Sequence, residues 1–535
     1  LRAAASGRAQ PGGAPGAKAG LLRQLRGERL SRLELQRVVA ALRAPGVLDQ
    51  PKEYTLLIAG AGRHGLWWVA LDVLGDSHRR RLSANLFCHN AAVSACEKGG
   101  QWRGALELVA LSSQLALRPD VTTYSAAISA CKDAGTWIWA LLLLDGAQRR
   151  MVLPNVITYN AAISSCEKGE HWIQAMSVLR TMQARGRSNG DVLGPHDPAD
   201  PNAVTFSAAI SACEKTRLWK QTLDLLAEMR HNGLQPNVIS CSAAVSACEK
   251  GRQWVWASVL LRSMQENHME PNVVTYNAAI SACEKVRQWE RAVLIVQELG
   301  RRRLAADVTS YSAAISACEK GHRSAWASAL LLEMRRRKIE PAIITFNSAI
   351  SACEKDKAWQ PALHLLRWVL LAGSEPDATS FNAAVSACEK GRQWRCAAAL
   401  LRVMHATSHR CDVITFNAAI SASAAGSQWG DAVELLDRMW HQELAMNIIT
   451  YNSAIAACSQ TREWVAALRL YEELRRKSIE PTALTLDAVV STCRSSSQWF
   501  PVPELCTEQR ARLHFELTLQ AGRVRRHGQK PRRPP

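Results

Sequence analysis

A chain of 535 residues with 47% hydrophobic and 21% charged side chains has the composition of a folded protein, and its formal charge of +19 points toward a polyanionic partner. No apolar run reaches the roughly 18 residues that a bilayer-spanning helix needs, which excludes that class, and the sixteen cysteines include no CxxC pair of the kind that holds zinc. Much of the charge lies at the ends: residues 1–50 carry nine Lys/Arg against three acids and residues 501–535 carry eight against three, so the stretch between is only mildly basic.

Residues 1–50 form a basic Ala/Gly/Arg-rich segment. Its first 27 residues hold Arg2, Arg8, Lys18, Arg23 and Arg26 and no acid, a composition that fits the tail of an organelle transit peptide or a disordered basic linker. Opening on Leu rather than Met, the chain reads as a fragment or a processed product. Residues 21–43 predict an amphipathic helix that serves as a degenerate capping unit.

From Pro51 a phrase close to VITYNAAISACEKGxQW recurs. Windows open at Pro51, Leu86, Val121, Val156, Ala203, Val238, Val273, Val308, Ile343, Ala378, Val413, Ile448 and Ala483, and every interval but one is 35 residues. Repetition of that kind means an array of small units rather than several separate domains. The apolar spacing of Val273–Lys285, and again of Trp289–Leu299, is helical rather than alternating, so each window predicts two helices. A proline next to last in eight windows (Pro119, Pro154, Pro201, Pro236, Pro271, Pro341, Pro376, Pro481) stops the second helix. One helix pair cannot bury its own apolar face. The predicted fold is therefore all-α, a right-handed α-solenoid (superhelix) of tandem helix-turn-helix repeats with a concave groove, about 12–13 units over residues 51–520.

The long interval carries twelve extra residues in a Gly/Pro/Asp-rich stretch at about 188–201, which predicts a surface loop between repeats. Twelve of the thirteen windows place Trp at one position (Trp67, Trp102, Trp137, Trp172, Trp219, Trp254, Trp289, Trp359, Trp394, Trp429, Trp464, Trp499), with Ser324 the exception. An aromatic at the start of every second helix is a packing anchor rather than a base-stacking platform, and the fourth-position aromatics such as Tyr276 and Phe346 read the same way. Eleven cysteines, from Cys96 to Cys493, occupy one repeat position. Stacked units hold equivalent positions farther apart than the ~7 Å that a disulfide spans, so they predict small buried packing residues in a reducing compartment. The chain ends in a basic, Pro-rich disordered tail over 521–535 that adds non-specific phosphate affinity.

A 35-residue helix pair that opens with V-x-T-Y-N and closes near E-P-N or K-P-D resembles the pentatricopeptide repeat in its uniform 35-residue class, over about residues 51–500. The W-x2-L-G-x2-Y signature of the 34-residue tetratricopeptide repeat is absent. The regular SACEK phrase and its downstream Trp depart from the family's usual wording and signal recent internal duplication. The resemblance implies a reader of single-stranded RNA in which each repeat addresses one base through two or three side chains.

On that resemblance the RNA-binding residues are the fifth and last of each window. The fifth positions are Thr55, Asn90, Ser125, Asn160, Ser207, Ser242, Asn277, Ser312, Asn347, Asn382, Asn417, Asn452 and Asp487; the last are Asn85, Asp120, Asn155, Asn202, Asn237, Asn272, Asp307, Ala342, Asp377, Asp412, Asn447 and Thr482. Asn or Asp just before a helix is also a good N-cap, so capping competes as an explanation of the last position. The fifth differs: it alternates between Asn and Ser inside flanks that barely change, whereas packing favours one answer throughout. The family's pairing preferences suggest U for Asn with Asp, A for Ser or Thr with Asn, and C for Asn with Asn. Read along the array, they give A-U-A-C-A-A-U-x-U-U-C-x, 5′ to 3′, with the eighth and twelfth units undetermined.

Two further sets belong to the same surface. The second residues Ile157, Val204, Ile239, Val274, Ile344, Ile414 and Ile449 would sandwich bases in the family's fashion, or are β-branched residues at a helix start. Lys98, Lys168, Lys215, Lys250, Lys285, Lys320, Lys355 and Lys390 form a row of one cation per repeat for a phosphate backbone, or are solvated charges favoured at a helix C-terminus.

Some relatives of the family carry a C-terminal zinc deaminase, whose H-x-E is followed by P-C-x-x-C. Here His268-Met269-Glu270 has no such sequel. The expectation is a protein that acts by binding, not an enzyme, with no cofactor and no metal. It is a monomer that holds single-stranded RNA in an organelle, mitochondrion or plastid, and supports RNA processing, stabilisation or translation, with processing or translation proteins as further partners and no membrane. The rival reading is a protein-binding scaffold that uses the concave surface.

Overall fold

In the computed structural model of the protein, a helix begins at the opening residue of every window. The structure describes residues 38–39, 41–42, 50–80, 86–115, 117–189, 200–302, 304–371, 373, 375–407 and 411–496. Between Pro51 and Ser495 lie twenty-five helices, and no strand occurs among the described residues. First helices run Pro51–Arg63, Leu86–Lys98, Val121–Ala134 and so on to Ala483–Ser495; second helices open on the repeated tryptophan, as in Trp219–His231 and Trp254–Glu266, with Ser324–Arg336 in the window that lacks it. No helix among the described residues is long and apolar enough to cross a membrane.

The pattern of small and branched residues fixes which faces are buried. In Val308–Lys320, Tyr311, Ala314, Ile315, Ala317 and Cys318 are fully buried, and the facing second helix buries Ala327, Leu331 and Met334. Each large side chain so removed from water contributes about 1.5–3 kcal/mol. On either side of Val273–Lys285, first helices pack on the first helices of neighbouring repeats, and second helices pack on their own first helix and on the next one. Two layers result: an inner one of first helices and an outer one of second helices. Residues 1–275 and 276–535 form two compact units, and each is an α-solenoid of this construction. All eleven repeat-position cysteines are buried free thiols, and burial pushes those of Cys248, Cys283 and Cys318 up to about 12.

The tryptophans sit at the repeat junctions, and six of them (Trp67, Trp137, Trp219, Trp289, Trp359 and Trp394) meet a glycine of the next repeat. Cβ atoms added to Gly251, Gly321 and Gly391 would meet Trp219, Trp289 and Trp359 of the preceding repeat at 2.4–2.5 Å. These glycines are not needed for backbone freedom: Gly391 sits at φ −83°, and the left-handed residue of the turn is the next one, Arg392, at φ 55°. The turn closes with a hydrogen bond from the Gln393 amide to the Cys388 carbonyl at 2.9 Å. At these junctions the indole occupies the space of a side chain, whereas the same window position carries Ala134, Thr216 and Val286 in other repeats. Where Ser324 replaces the tryptophan, the matching position one repeat on is Asp356, whose carboxylate accepts from the Ser324 amide at 2.6 Å and satisfies the start of the second helix.

Of the predicted helix at 21–43, Val38, Val39, Ala41 and Leu42 are described; all four are helical, and Val38, Val39 and Leu42 join the core around Tyr54, Leu57 and Ile58. The second helix of the fourth repeat continues for eighteen residues to Asn189, so Ser188 and Asn189 belong to a helix rather than to the expected loop. Most of that loop, Asn85, Trp499 and the C-terminal tail lie outside the described residues.

Candidate nucleic-acid interface

The last residue of a window is the N-cap of the next first helix. Asp120, Asn155, Asn237, Asn272, Asp307, Asp377, Asp412 and Asn447 each accept, through Oδ1, from the backbone amide three residues on at 2.8–3.0 Å, and Asn202 accepts from both Val204 and Thr205. Thr482 does the same at 3.4 Å, whereas Ala342 has no side chain to offer and leaves its helix uncapped. Capping therefore accounts for one oxygen of each Asn or Asp. It does not account for the other terminal atom.

The fifth residue of the preceding first helix, thirty positions earlier in a 35-residue window, also reaches the last residue, through the capping Oδ1 of Asp120, both oxygens of Asp307 and Asp377, and Oδ2 of Asp412. Asn90 Nδ2 donates to Asp120 at 3.1 Å, Asn277 Nδ2 to both oxygens of Asp307 at 3.2 and 3.3 Å, Asn347 Nδ2 to both of Asp377 at 3.1 and 3.0 Å, and Asn382 Nδ2 to Asp412 at 3.0 Å. Across the longer fourth unit, Asn160 Nδ2 still reaches Asn202 at 3.4 Å, and Asn452 reaches Thr482 at the same distance. The two positions chosen from sequence are thus brought together.

A third position, missed in the sequence, organises both. The hydroxyl of Thr or Ser at window position three donates to the carbonyl oxygen of the preceding fifth-position Asn: Thr123 to Asn90 at 2.5 Å, Thr205 to Asn160 at 2.6 Å, Thr450 to Asn417 at 2.6 Å and Thr485 to Asn452 at 2.5 Å, with Ser310–Asn277, Ser380–Asn347 and Thr415–Asn382 in the same arrangement. In several repeats the same hydroxyl accepts from the cap residue's own amide, as from Asp120 at 3.2 Å and Asn202 at 3.1 Å. The single hydroxyl proton of Thr123 lies nearer Asn90 Oδ1, at 2.5 Å, than Asp120 Oδ1, at 2.8 Å. The Asn amide is thereby oriented, Oδ1 toward the hydroxyl and Nδ2 toward the cap. These hydroxyl residues, Thr123 and Thr205 among them, are fully buried. The signal was present in the sequence as a Thr or Ser at the third residue of eleven windows.

Serine at the fifth position behaves differently. Ser207, Ser242 and Ser312 donate to the carbonyl of their own helix four residues back at 2.6–2.7 Å, and the oxygens of Ser125, Ser242 and Ser312 lie 2.6–2.7 Å from the Thr158, Thr275 and Thr345 hydroxyls. Only Ser207 touches its cap residue, Asn237, at 3.4 Å, among these four serines. Serine reaches the next repeat's third-position hydroxyl but, Ser207 apart, not its cap residue, which Asn does reach in most repeats. Thr55 follows the serine pattern, donating to Pro51, with Cys88 at 3.0 Å in the place of the third-position hydroxyl. Asp487 is exposed.

Flanking these pairs, the second-position side chains stand in solvent: Ile157, Val204, Ile239, Val274, Ile344, Ile414 and Ile449 are 58–70% exposed. A β-branched residue at a helix start accounts for its type but not for its repeated exposure.

The lysine row is not a line of free cations. Lys250, Lys320, Lys355 and Lys390 each sit 2.8–3.1 Å from a glutamate of the preceding repeat, Glu214, Glu284, Glu319 and Glu354, and Lys215 donates to the Glu167 carbonyl. Ser316, Ser351 and Ser386 donate to the same carboxylates. The reason is the EK dipeptide: stacking sets the Glu of one repeat beside the Lys of the next, and both are part-buried, so they pair. Lys98 is exposed. The ladder stops after Lys390, because the next window carries Ala424 and Ala425 at the two positions; Glu389 is left to Ser421, and burial raises its pKa.

Comparison with known proteins fits this geometry. The pentatricopeptide repeat domain matches residues 107–169, 224–285, 294–356 and 399–458; the PPR repeat family matches 446–494, and the PPR repeat matches 157–187, 204–234 and 274–304. No curated protein sequence matches the chain. Among solved structures, the pentatricopeptide repeat protein PPR10 from maize is 18% identical, with 94% of this chain and 79% of that one covered at a TM-score of 0.41. The same protein in complex with an 18-nucleotide psaJ RNA element is 18% identical over 96% and 87% at 0.40, and yeast Rmd9p in complex with a 16-nucleotide target RNA is 10% identical over 91% and 95% at 0.24. With family matches following one another over more than half of its length, the chain belongs to the pentatricopeptide repeat proteins.

Proposed function

We propose that the protein binds single-stranded RNA sequence-selectively, one base per repeat, through the paired fifth and last residues. The observation that supports this reading is that capping uses only one of the two terminal atoms at the last position. Capping uses Oδ1 in Asn and Asp alike, and the two cap equally well. Exchanging Asp for Asn therefore changes only the second terminal atom, from acceptor to donor. An acceptor suits the N3–H of U and a donor suits the bare N3 of C. At the fifth position, the shorter serine of the A-assigned repeats leaves more room than the longer Asn of the U- and C-assigned ones, as a purine requires. Exposed Ile and Val at the second position offer an apolar surface to each base face.

The protein acts by occupancy, protecting an RNA end, blocking structure or recruiting a processing or translation factor, and an organellar setting rests on the basic amino-terminal composition. Phosphate contact by the lysine row has to displace the glutamates first. An oligonucleotide A-U-A-C-A-A-U-A-U-U-C-A should bind more tightly than its scramble, and affinity should fall steeply between about 50 and 200 mM salt through counterion release. Ser242→Asn with Asn272→Asp should move the sixth base from A to U. Equal affinity for matched and scrambled RNA sinks the reading, and a weak salt response with tight peptide capture would favour a protein scaffold instead.

A further inference from the structure

At the junction of the eighth and ninth repeats the outer layer opens into a cleft of about 690 Å³, within the size range of small-molecule sites. Its walls are the end of Ser324–Arg336, the turn after it and the middle of Trp359–Leu371; no base-reading position lines it. Arg335, Lys338, His364 and Arg367 converge there against one acid, the exposed Glu340. Lys338, His364 and Arg367 make no ion pair among the described residues, while Arg335 lies 5.4 Å over the ring of Trp368, which itself stands edge-on to Phe346 at 5.3 Å.

Cations at a helix C-terminus offset the helix dipole, and that accounts for Arg335 and Lys338. It does not account for Arg367 and His364, which project from the middle of the next helix. A related cleft two repeats further on, around Arg402 and Arg438, has no tryptophan, and Arg438 is already paired with Glu434 at 2.6 Å. The eighth junction therefore combines unpaired cations with a half-buried indole. A carboxylate ligand would use only the cations. A nucleotide uses both, phosphate on the guanidinium and ammonium groups and base on the indole.

We propose that this cleft is a second, sequence-independent nucleotide site for RNA, outside the base-reading surface, with phosphate held by Arg335, Lys338 and Arg367 and a base stacked at Trp368. The test uses the full chain, with matched oligonucleotide, U12 and A12 as RNA probes and oligo-glutamate as the acidic control. Arg335→Gln with Arg367→Gln should weaken all three RNAs to a similar degree and lower the salt slope by about 1.4, as loss of two phosphate contacts to a single strand requires. Trp368→Leu, which keeps apolar packing on Phe346, should weaken RNA by about tenfold and leave oligo-glutamate unchanged. Unchanged helicity and melting by circular dichroism confirm that the variants fold. RNA affinity and slope equal to wild type overturn the site, and leave base reading standing if the matched sequence is still preferred. Oligo-glutamate binding that depends on the two arginines, with RNA indifferent to Trp368→Leu, also overturns it in favour of an acidic peptide. Loss confined to the matched sequence overturns it by assigning these residues to base reading.

Discussion

Asp377 serves two repeats at once: its Oδ1 caps the helix that starts at Ala378, accepting from the Ser380 amide at 2.8 Å, while the carboxylate takes the Asn347 amide nitrogen at 3.0 and 3.1 Å. The two roles separate by substitution. Asp377→Asn keeps the cap and should leave stability within about 0.5 kcal/mol, while the base preferred at the ninth position moves from U toward C. Asp377→Ala should cost about 1 kcal/mol and lose discrimination there. Urea unfolding and binding to the four single-base variants check both; a base preference unmoved in Asp377→Asn would leave capping as the residue's whole role.

The third-position hydroxyl is expected to matter for selectivity out of proportion to its exposure. Thr205 is fully buried and donates to Asn160 and Asn202 at 2.6 and 2.9 Å. Thr205→Val keeps the shape and removes the donor, leaving the Asn160 amide free to turn over. The expected cost is about 1–2 kcal/mol of stability, with the preference for C over U at the fourth base flattened. Retained discrimination in competition binding would show that the hydroxyl does not orient the amide.

Steric rather than conformational need explains the glycine after EK. Gly391→Ala should destabilise by about 1–3 kcal/mol, because the new methyl meets Trp359 rather than because φ is unsuitable. Trp359→Ser with Gly391→Asp copies the Ser324–Asp356 pair and should recover part of that loss. Additive losses in the double-mutant cycle would rule out the contact.

Acid should loosen the amino-terminal repeats first. His89 occupies the fourth-position slot that is aromatic in most windows, is 1% exposed, and has no hydrogen-bond partner on either ring nitrogen. Burial, reinforced by the nearby His78, lowers its pKa to about 4. The unfolded chain then binds the extra proton from about pH 6.5 downward and the folded one only near 4, so stability falls across that window as pH drops. The Asp120, Asp307, Asp377 and Asp412 carboxylates behave differently: burial raises them, but hydrogen bonds from Thr, Ser and Asn outweigh it and hold them below the usual 3.8. Their contribution is intact above that value and is lost only below it. His89→Tyr should abolish the change between pH 6.5 and 4 in thermal melts and spare the one below; a melt of wild type that is flat over the upper range refutes the assignment.

Periodicity made the helix starts legible to the residue, since a 35-residue phrase with a Trp at its middle fixes where each helix begins, while the ends, as at Arg301 and Asn189, run past the predicted spans. The fifth and last positions come from the family resemblance, and the fifth is further set apart by its Asn/Ser variation inside an almost unchanging flank. What periodicity could not show is which repeat positions face each other across a junction. The Thr123–Asn90 bond, the Lys320–Glu284 pair and the Gly391–Trp359 contact each join residues about 32–36 apart, and that offset depends on how far one helix pair is rotated on the next. The lysines illustrate the consequence: read one repeat at a time they are cations, and read across the junction they are half of an ion pair. The cleft at Trp368 was illegible for the opposite reason, since it departs from the repeat pattern.

The Ser324–Asp356 pair has a bearing on how such a chain can be cut and rejoined. A window boundary drawn at Ile343 would separate the serine from the aspartate that replaces its missing indole contact, and the equivalent cut in other windows parts a cap such as Asp377 from the amide it holds. The heritable module is therefore the junction, not the phrase: a transplanted eighth unit has to carry the first helix of its successor, through Asp356, or arrive with an uncapped helix and a hole where a tryptophan should be.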